Sequence, residues 1–277
     1  MHLRLGHSPD PDDAFMFYAL AAGKIDCEGL EFEHVLQDIE TLNRRAESGE
    51  FEITALSVHA YAYLHDRYLL LPHGASMGDG YGPLFVARRP LDVEELRRAT
   101  IAVPGLRTSA YLAARLALGD FAHRVVAFDR IMEAVRAGEA DAGLLIHEGQ
   151  LTYAGADLHA VLDLGVWWRD ETGGLPLPLG VNAVRRDLPA DVVRRVTRVL
   201  GASIRYALEH RRPAVQHALR YGRGLDDALA DRFIDMYVNE LTEDLGERGR
   251  AGIREFLGRG HAAGLIPGPI ALEFASA

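Results

Sequence analysis

Short apolar runs suited to buried strands alternate with stretches of helical period along the first two-thirds of this chain. That alternation restricts the fold more than any other feature of the sequence. Leu3-Arg4-Leu5, residues 30–35 and Ile53-Thr54-Ala55-Leu56 read as strands, as do Ile101-Ala102-Val103, Val125-Val126-Ala127-Phe128 and Gly143-Leu144-Leu145-Ile146. Helical stretches lie between them. One begins at Phe15 and stops at Gly23, and one runs from Asp38, a good N-cap, through Leu42 and Ala46 to Gly49. Others are placed behind Ser57 over 58–64, behind Thr108, and over 130–137. The pattern predicts an α/β fold with mostly parallel strands. From Pro189 onward the period is helical over 190–209, 212–221, 226–238 and 246–264, with little strand signal.

A weak internal similarity gives the helical tail a place. Gly82-Pro-Leu-Phe-Val-Ala-Arg-Arg-Pro-Leu91 and Pro178-Leu-Gly-Val-Asn-Ala-Val-Arg-Arg-Asp-Leu188 are both apolar strands running into Arg-Arg and then a leucine. Read as strands that carry the chain out of one lobe and back, they predict lobe one over 1–83 plus 184–277. Lobe two then covers 84–183, with a ligand cleft between the two.

Composition narrows the classes of function. Of 277 residues, 48% are hydrophobic and 25% charged, which excludes disorder, and a chain of this length buries a core without disulfides or metal. A net charge of −10 argues against nucleic acid and against an anionic membrane surface. Cys27 is the only cysteine, which rules out an internal disulfide framework and a multi-cysteine zinc site. Lys24, the only lysine, follows the helix-ending Gly23 and reads as a surface amine rather than a Schiff-base former. The N-terminus shows no export signal and no apolar run nears the roughly 18 residues of a membrane span, so a soluble cytoplasmic protein is expected.

No phosphate loop, H-E-x-x-H or G-x-S-x-G motif occurs. Gly78-Asp-Gly-Tyr-Gly82 leads into a strand rather than a helix and so lacks the geometry of a dinucleotide fingerprint, and Gly258-Arg-Gly-His-Ala-Ala-Gly264 reads as a helix end. What remains is a set of polar groups at strand-to-helix junctions, the edge at which parallel sheets bind ligands. These are Ser8 with Asp10 to Asp13, Ser57, Arg107-Thr108-Ser109, and His147-Glu148. Ser57, Thr108 and Ser109 fit plain N-caps as well as anion ligands, and the two roles are compatible. Asp12 and Asp13 fit either an acid–base pair or acids that complement a helix dipole. Of twelve histidines, His147 is distinguished by directly following an apolar strand at that edge, where an imidazole suits proton abstraction at neutral pH. Its ring is expected to face the cleft. Trp167, Trp168, Tyr153 and Tyr111 could form an aromatic wall for a flat ligand or simply pack in the core.

Several stretches taken together resemble a known family. They are Ser8-Pro-x-Pro-x-Asp13 with Phe15 and Phe17-Tyr-Ala-Leu20; Asp38-x-Glu-Thr-Leu-Asn43; Leu56-Ser57; Ala102-Val-Pro-Gly105 with Thr108-x-Ala-Tyr111; Ala142-Gly-Leu-x-Ile-His-Glu148 with Thr152-Tyr153; and Leu175-Pro-Leu-Pro-Leu-Gly180. They resemble the 1,4-dihydroxy-6-naphthoate synthases of the futalosine route to menaquinone over essentially the whole chain. The resemblance implies a two-lobed fold like that of type II periplasmic binding proteins. It also implies a carbon–carbon lyase, free of cofactor and metal, that splits cyclic dehypoxanthine futalosine into dihydroxynaphthoate and a three-carbon fragment. The family's histidine base matches His147, and its substrate-contacting stretches match Ala55-Leu56-Ser57 and Thr108-Ser109; Ser8 and Asp13 join them from the first junction.

The chain also departs from that pattern. Asp10-Pro-Asp12-Asp13-Ala14 stands where the family has Cys-Pro-Asn-Asp-Thr, and Ser109 replaces a threonine. The expected partner is a small aromatic carboxylate; a homodimer is compatible with the sequence but not required by it. Two alternatives stay open: the sister chorismate dehydratases, disfavoured by Ile146-His-Glu148 and Thr152-Tyr153, and a non-catalytic solute-binding protein, disfavoured by the missing export signal.

Overall fold

The computed structural model of the chain describes residues 1–221 and 227–277. Its strands are β1 (His2–His7), β2 (Glu31–Leu36), β3 (Ile53–Ser57), β4 (Tyr68–Leu70), β5 (Ser76–Gly78), β6 (Leu84–Ala87), β7 (Ile101–Val103), β8 (His123–Val125), β9 (Ala142–Leu145), β10 (His159–Asp163) and β11 (Leu177–Arg185). They form two mixed sheets. One has the order β2-β1-β3-β11-β4, with β5 also pairing β11; the other has the order β10-β6-β9-β7-β8. In the first sheet β1 runs parallel to β2 and β3, and β11 antiparallel to β3, β4 and β5. In the second, β7 is parallel to β8 and β9, while β6 lies antiparallel to β9 and β10.

Local sequence accounts for the crossovers. Asp38 caps the helix Ile39–Glu47 by accepting the Thr41 N–H at 3.0 Å, and Leu42 and Ala46 turn inward one helical turn apart. Thr108 caps Ser109–Leu118 through the Tyr111 N–H at 3.2 Å. In the tail helix Ala190–Glu209, Val192, Val196 and Leu200 recur every four residues and pack with Leu3, Leu5, Ile53 and Val184 of the first sheet. A larger apolar cluster joins both sheets: Leu56, Met77 and Leu177 share it with Phe85, Leu144, Trp168 and Phe256.

Three expectations change. The strand expected over 125–128 ends at Val125, and Phe128–Arg130 is a 3₁₀ turn. Val125 is half exposed on an edge strand, so the apolar run there was not a core signal. The crossing back to the first sheet lies ahead of Leu177 and not at 184, because β11 pairs with first-sheet strands from Leu177↔Gly78 to Arg185↔Tyr68. Little strand signal was expected in the tail, yet Phe274 adds a bridge to Leu70. The expected start of a tail helix at 226 lies outside the described residues. Among the described residues no helix is long and apolar enough to cross a membrane.

Close approach of the two chain crossings depends on a glycine. A Cβ on Gly165 would collide with the carbonyl of Tyr81 and come within 2.6 Å of Gly82 N, both backbone. Gly165→Ala is therefore expected to lower stability by about 1–3 kcal/mol in urea unfolding. Gly155→Ala, where nothing stands within 4 Å, should stay within about 0.5 kcal/mol of wild type.

Candidate active site

A cavity of about 110 Å³ lies at the carboxyl ends of β1 and β3, closed by the loops ahead of Ser109–Leu118 and by the tail helices. Its two ends differ in chemistry. At one end β1 runs into Ser8-Pro-Asp and the six-residue helix Pro11–Met16, which Pro11 starts by its fixed φ. Asp13 folds back and accepts the Ser8 N–H at 2.6 Å, and the Asp10 N–H donates to Ser8 Oγ at 3.2 Å. Asp12 accepts from Ser76 Oγ at 3.4 Å. Asp10, Asp12 and Asp13 all line the cavity. Burial pushes Asp13 up to about 7, against the hydrogen bonds from Ser8 that favour its charged form. Burial also pushes Asp12 well above the ordinary carboxylate range, helped by the charges of Asp13 and Asp10. Asp12 and Asp13, side by side in this poorly solvated corner and next to the Asp10 charge, resist ionising together, so this end holds a proton near neutral pH.

The opposite end presents donors. Ser57 Oγ accepts from Asn43 Nδ2 at 3.0 Å while its own N–H donates to Asn43 Oδ1 at 2.9 Å, which leaves the Ser57 O–H to be given to a ligand. Ser57 was expected to cap the following helix; Asn43 takes its place as partner, and no cap bond forms. Thr108 does cap, and Ser109 Oγ donates to Leu179 O at 2.5 Å while accepting from His59 N at 3.2 Å. The N–H groups of Ser109 and Ala110 belong to the first turn of a ten-residue helix and have no intrahelical acceptor. Both residues line the cavity. Such a helix start favours an anion.

Ser8, Asp13, Ala55, Ser57, Thr108 and Ser109 are thus brought together around one cavity, and Leu56 and His147 are not among its lining. For Leu56 the reason is strand alternation: Ala55 and Ser57 share one face of β3, and Leu56 points to the other, into the core. His147 follows Ile146, which does line the cavity, but its ring is packed inside the protein at 4% exposure. The ring is not turned to the cleft as the sequence led us to expect. Nε2 lies 2.8 Å from Phe128 O and Nδ1 accepts the Gly149 N–H at 2.9 Å, the bonding of a neutral imidazole with its hydrogen on Nε2. Glu148 Oε2 stands 3.5 Å from Nδ1. Burial alone would lower the affinity of the ring for a proton; Glu148, the Phe128 carbonyl and Asp10 outweigh it, and the net direction is upward.

The aromatic wall also differs. Trp168 is fully buried against Phe256 and donates to Pro176 O, and neither it nor Trp167, Tyr153 or Tyr111 lines the cavity. Phe233 and Tyr237 of the tail helix Asp227–Tyr237 do so instead, and Tyr237 donates to Gln150 Oε1 at 2.8 Å across the sheets. Their helical period was legible, their place in the site was not. Ser76 and Asn182 are further lining residues without a sequence signal beyond their place beside strand residues. Among the described residues no group of three His, Cys, Asp or Glu side chains stands where it could hold a metal ion.

Comparison with known proteins bears on the family and the fold. A family described as menaquinone biosynthesis matches residues 3–262. A 1,4-dihydroxy-6-naphthoate synthase of Thermus thermophilus is 42% identical over 268 residues, 96% of this chain and 97% of the relative. A crystal structure of a protein from Archaeoglobus fulgidus superposes with a TM-score of 0.92 at 49% identity, covering 96% of this chain and 98% of that one. The alkanesulfonate-binding protein SsuA of Xanthomonas axonopodis pv. citri, solved with MOPS, superposes with a TM-score of 0.75 at 14% identity, covering 98% and 96%. That last likeness speaks to the fold alone, which is the periplasmic-binding-protein fold expected from the sequence.

The buried carboxyls make a pH prediction. Between the ordinary aspartate value of about 4 and about 7, the folded chain keeps a proton on Asp13 that the unfolded chain releases. Stability therefore falls as pH rises through that window and levels above it. Asp13→Asn, whose side-chain oxygen still accepts from Ser8, should lose much of this slope and gain stability relative to wild type from pH 4 to pH 7. Parallel curves in denaturant titrations would contradict the burial argument.

Proposed function

The chain belongs to the menaquinone biosynthesis family, and from that premise we propose that it is a 1,4-dihydroxy-6-naphthoate synthase, a carbon–carbon lyase acting on cyclic dehypoxanthine futalosine. The near-full-length kinship with a named naphthoate synthase carries this reading. In it, the two sheets are the cores of two lobes, over 1–83 plus 177–277 and over 84–176, that enclose the substrate. The substrate carboxylate lies at the donor end, held by the Ser109 and Ala110 N–H groups and the Ser57 hydroxyl. The aromatic part lies against Phe233 and Tyr237, within reach of the same end.

His147 is the proton acceptor in this reading. Its place directly behind Ile146, its raised proton affinity and the nearby Glu148 carboxylate support the assignment. To take a proton from bound substrate, the ring turns past Ile146 and Nδ1, the nitrogen that carries the lone pair, gives up the Gly149 N–H. Glu148 then faces the imidazolium and stabilises it, acting as a positioning residue rather than touching the substrate. Sulfonate-binding relatives of the fold carry no weight for a transport role at 14% identity.

Purified protein incubated with cyclic dehypoxanthine futalosine should release 1,4-dihydroxy-6-naphthoate, detected by mass spectrometry. In His147→Asn the amide oxygen can still accept the Gly149 N–H, so the fold is expected to persist while kcat falls roughly 10²–10⁴-fold. An unchanged kcat in a folded His147→Asn protein would remove His147 from the mechanism.

A further inference from the structure

The cavity carries more acceptors than a carboxylate ligand would use. Asp12 stands there, bridged by Ser76 Oγ at 3.4 Å. Two residues before Ser76, Gly74 O accepts from Asn182 Nδ2 at 3.0 Å, which orients the Asn182 amide. Asn182 lines the same cavity at 1% exposure, and its Oδ1 has no hydrogen-bond partner among the described residues. A buried carbonyl oxygen left without a donor is expensive unless something outside the chain supplies one. The corner thus combines a carboxyl with an unmet acceptor.

We propose that Asp12, Ser76 and Asn182 form a hydroxyl-binding subsite that holds the non-aromatic, hydroxylated part of the substrate, the part that leaves when the naphthoate forms. The inference rests on the lyase reading above and deepens it. A substrate hydroxyl donates to Asn182 Oδ1 and meets the Asp12 carboxyl, which can accept from it when ionised or donate to it when protonated. Burial beside two other acids favours the protonated form, so an anionic substrate enters without repulsion from this end. The two ends then divide the labour: N–H and O–H donors take the carboxylate, and the acid-and-amide corner takes hydroxyls. Selection follows, because a ligand without those hydroxyls leaves Asn182 Oδ1 unpaired.

The test separates the two ends. Asp12→Leu, Asn182→Leu and Asp12→Asn are compared with wild type for KM on cyclic dehypoxanthine futalosine and for Kd of 1,4-dihydroxy-6-naphthoate, which lacks the leaving fragment. Both leucine variants should raise KM roughly 10–100-fold, the loss of one buried hydrogen bond, and leave the naphthoate Kd within about twofold. Asp12→Asn, which keeps a donor and an acceptor, should restore KM to within about threefold of wild type. If Asn182→Leu does not fold, Asp12→Leu carries the comparison, since Asp12 is only partly buried. A parallel rise in the naphthoate Kd, or no change in KM, would overturn the subsite while leaving the lyase reading intact. A wild-type protein that neither binds naphthoate nor turns over the substrate would overturn the lyase reading itself.

Discussion

Two carboxyls, Asp12 and Asp13, share one poorly solvated corner at the end of β1 beside Asp10, and the rest of the site is arranged around what that crowding requires. Asp13 is fixed by the Ser8 N–H, Asp12 by Ser76, and Asp10 by the turn that leads into Pro11. Burial raises the proton affinity of both Asp12 and Asp13, so protonation relieves the crowding of this pair. A chain of net charge −10 could otherwise repel the organic anion that its donor end is built to hold. Raised proton affinity at Asp12 and Asp13 lowers the negative charge of the cavity, whose lining also includes the first turn of the helix Ser109–Leu118.

The scaffold delivers both ends from the first sheet and the loops facing it. Parallel pairing of β1 with β3 brings Ser8 and Ser57 to the same edge, and the antiparallel β11 sets Asn182 opposite Ala55. The facing helix start at Thr108 is tied across by His59, whose Nδ1 lies 3.2 Å from Thr108 O, and by Glu40, which accepts the Arg107 N–H at 3.1 Å. Tail helices, which looked like an appendage to the α/β region, close the cavity with Phe233 and Tyr237. The Tyr237–Gln150 hydrogen bond then links that wall to the segment just after His147.

Much of this was legible before coordinates. Periodicity and capping residues located the crossover helices, because Asp38 and Thr108 act locally, on N–H groups three residues away. The junction rule for parallel strands brought Ser8, Asp13, Ser57, Thr108 and Ser109 to one edge without any knowledge of packing. What could not be read depends on contacts distant in sequence. Ser57 answers to Asn43 across 14 residues and Ser76 to Asp12 across 64. The ring of His147 is turned by Phe128, 19 residues earlier, so its position at a strand end did not fix its direction. Leu56 follows the opposite lesson: family stretches name three consecutive residues, but a strand can show a ligand only alternate side chains.

Proton counting on ligand binding tests the central claim most directly. Naphthoate binding is measured by calorimetry at pH 7 in buffers of different ionisation enthalpy, for wild type and for Asp13→Asn. With Asp13 near half ionisation at about 7, arrival of an anion should draw up a fraction of a proton, at most roughly one half, in wild type and clearly less in the variant. Binding that takes up no proton, or takes up the same amount in both proteins, would contradict the account of a neutral acid corner.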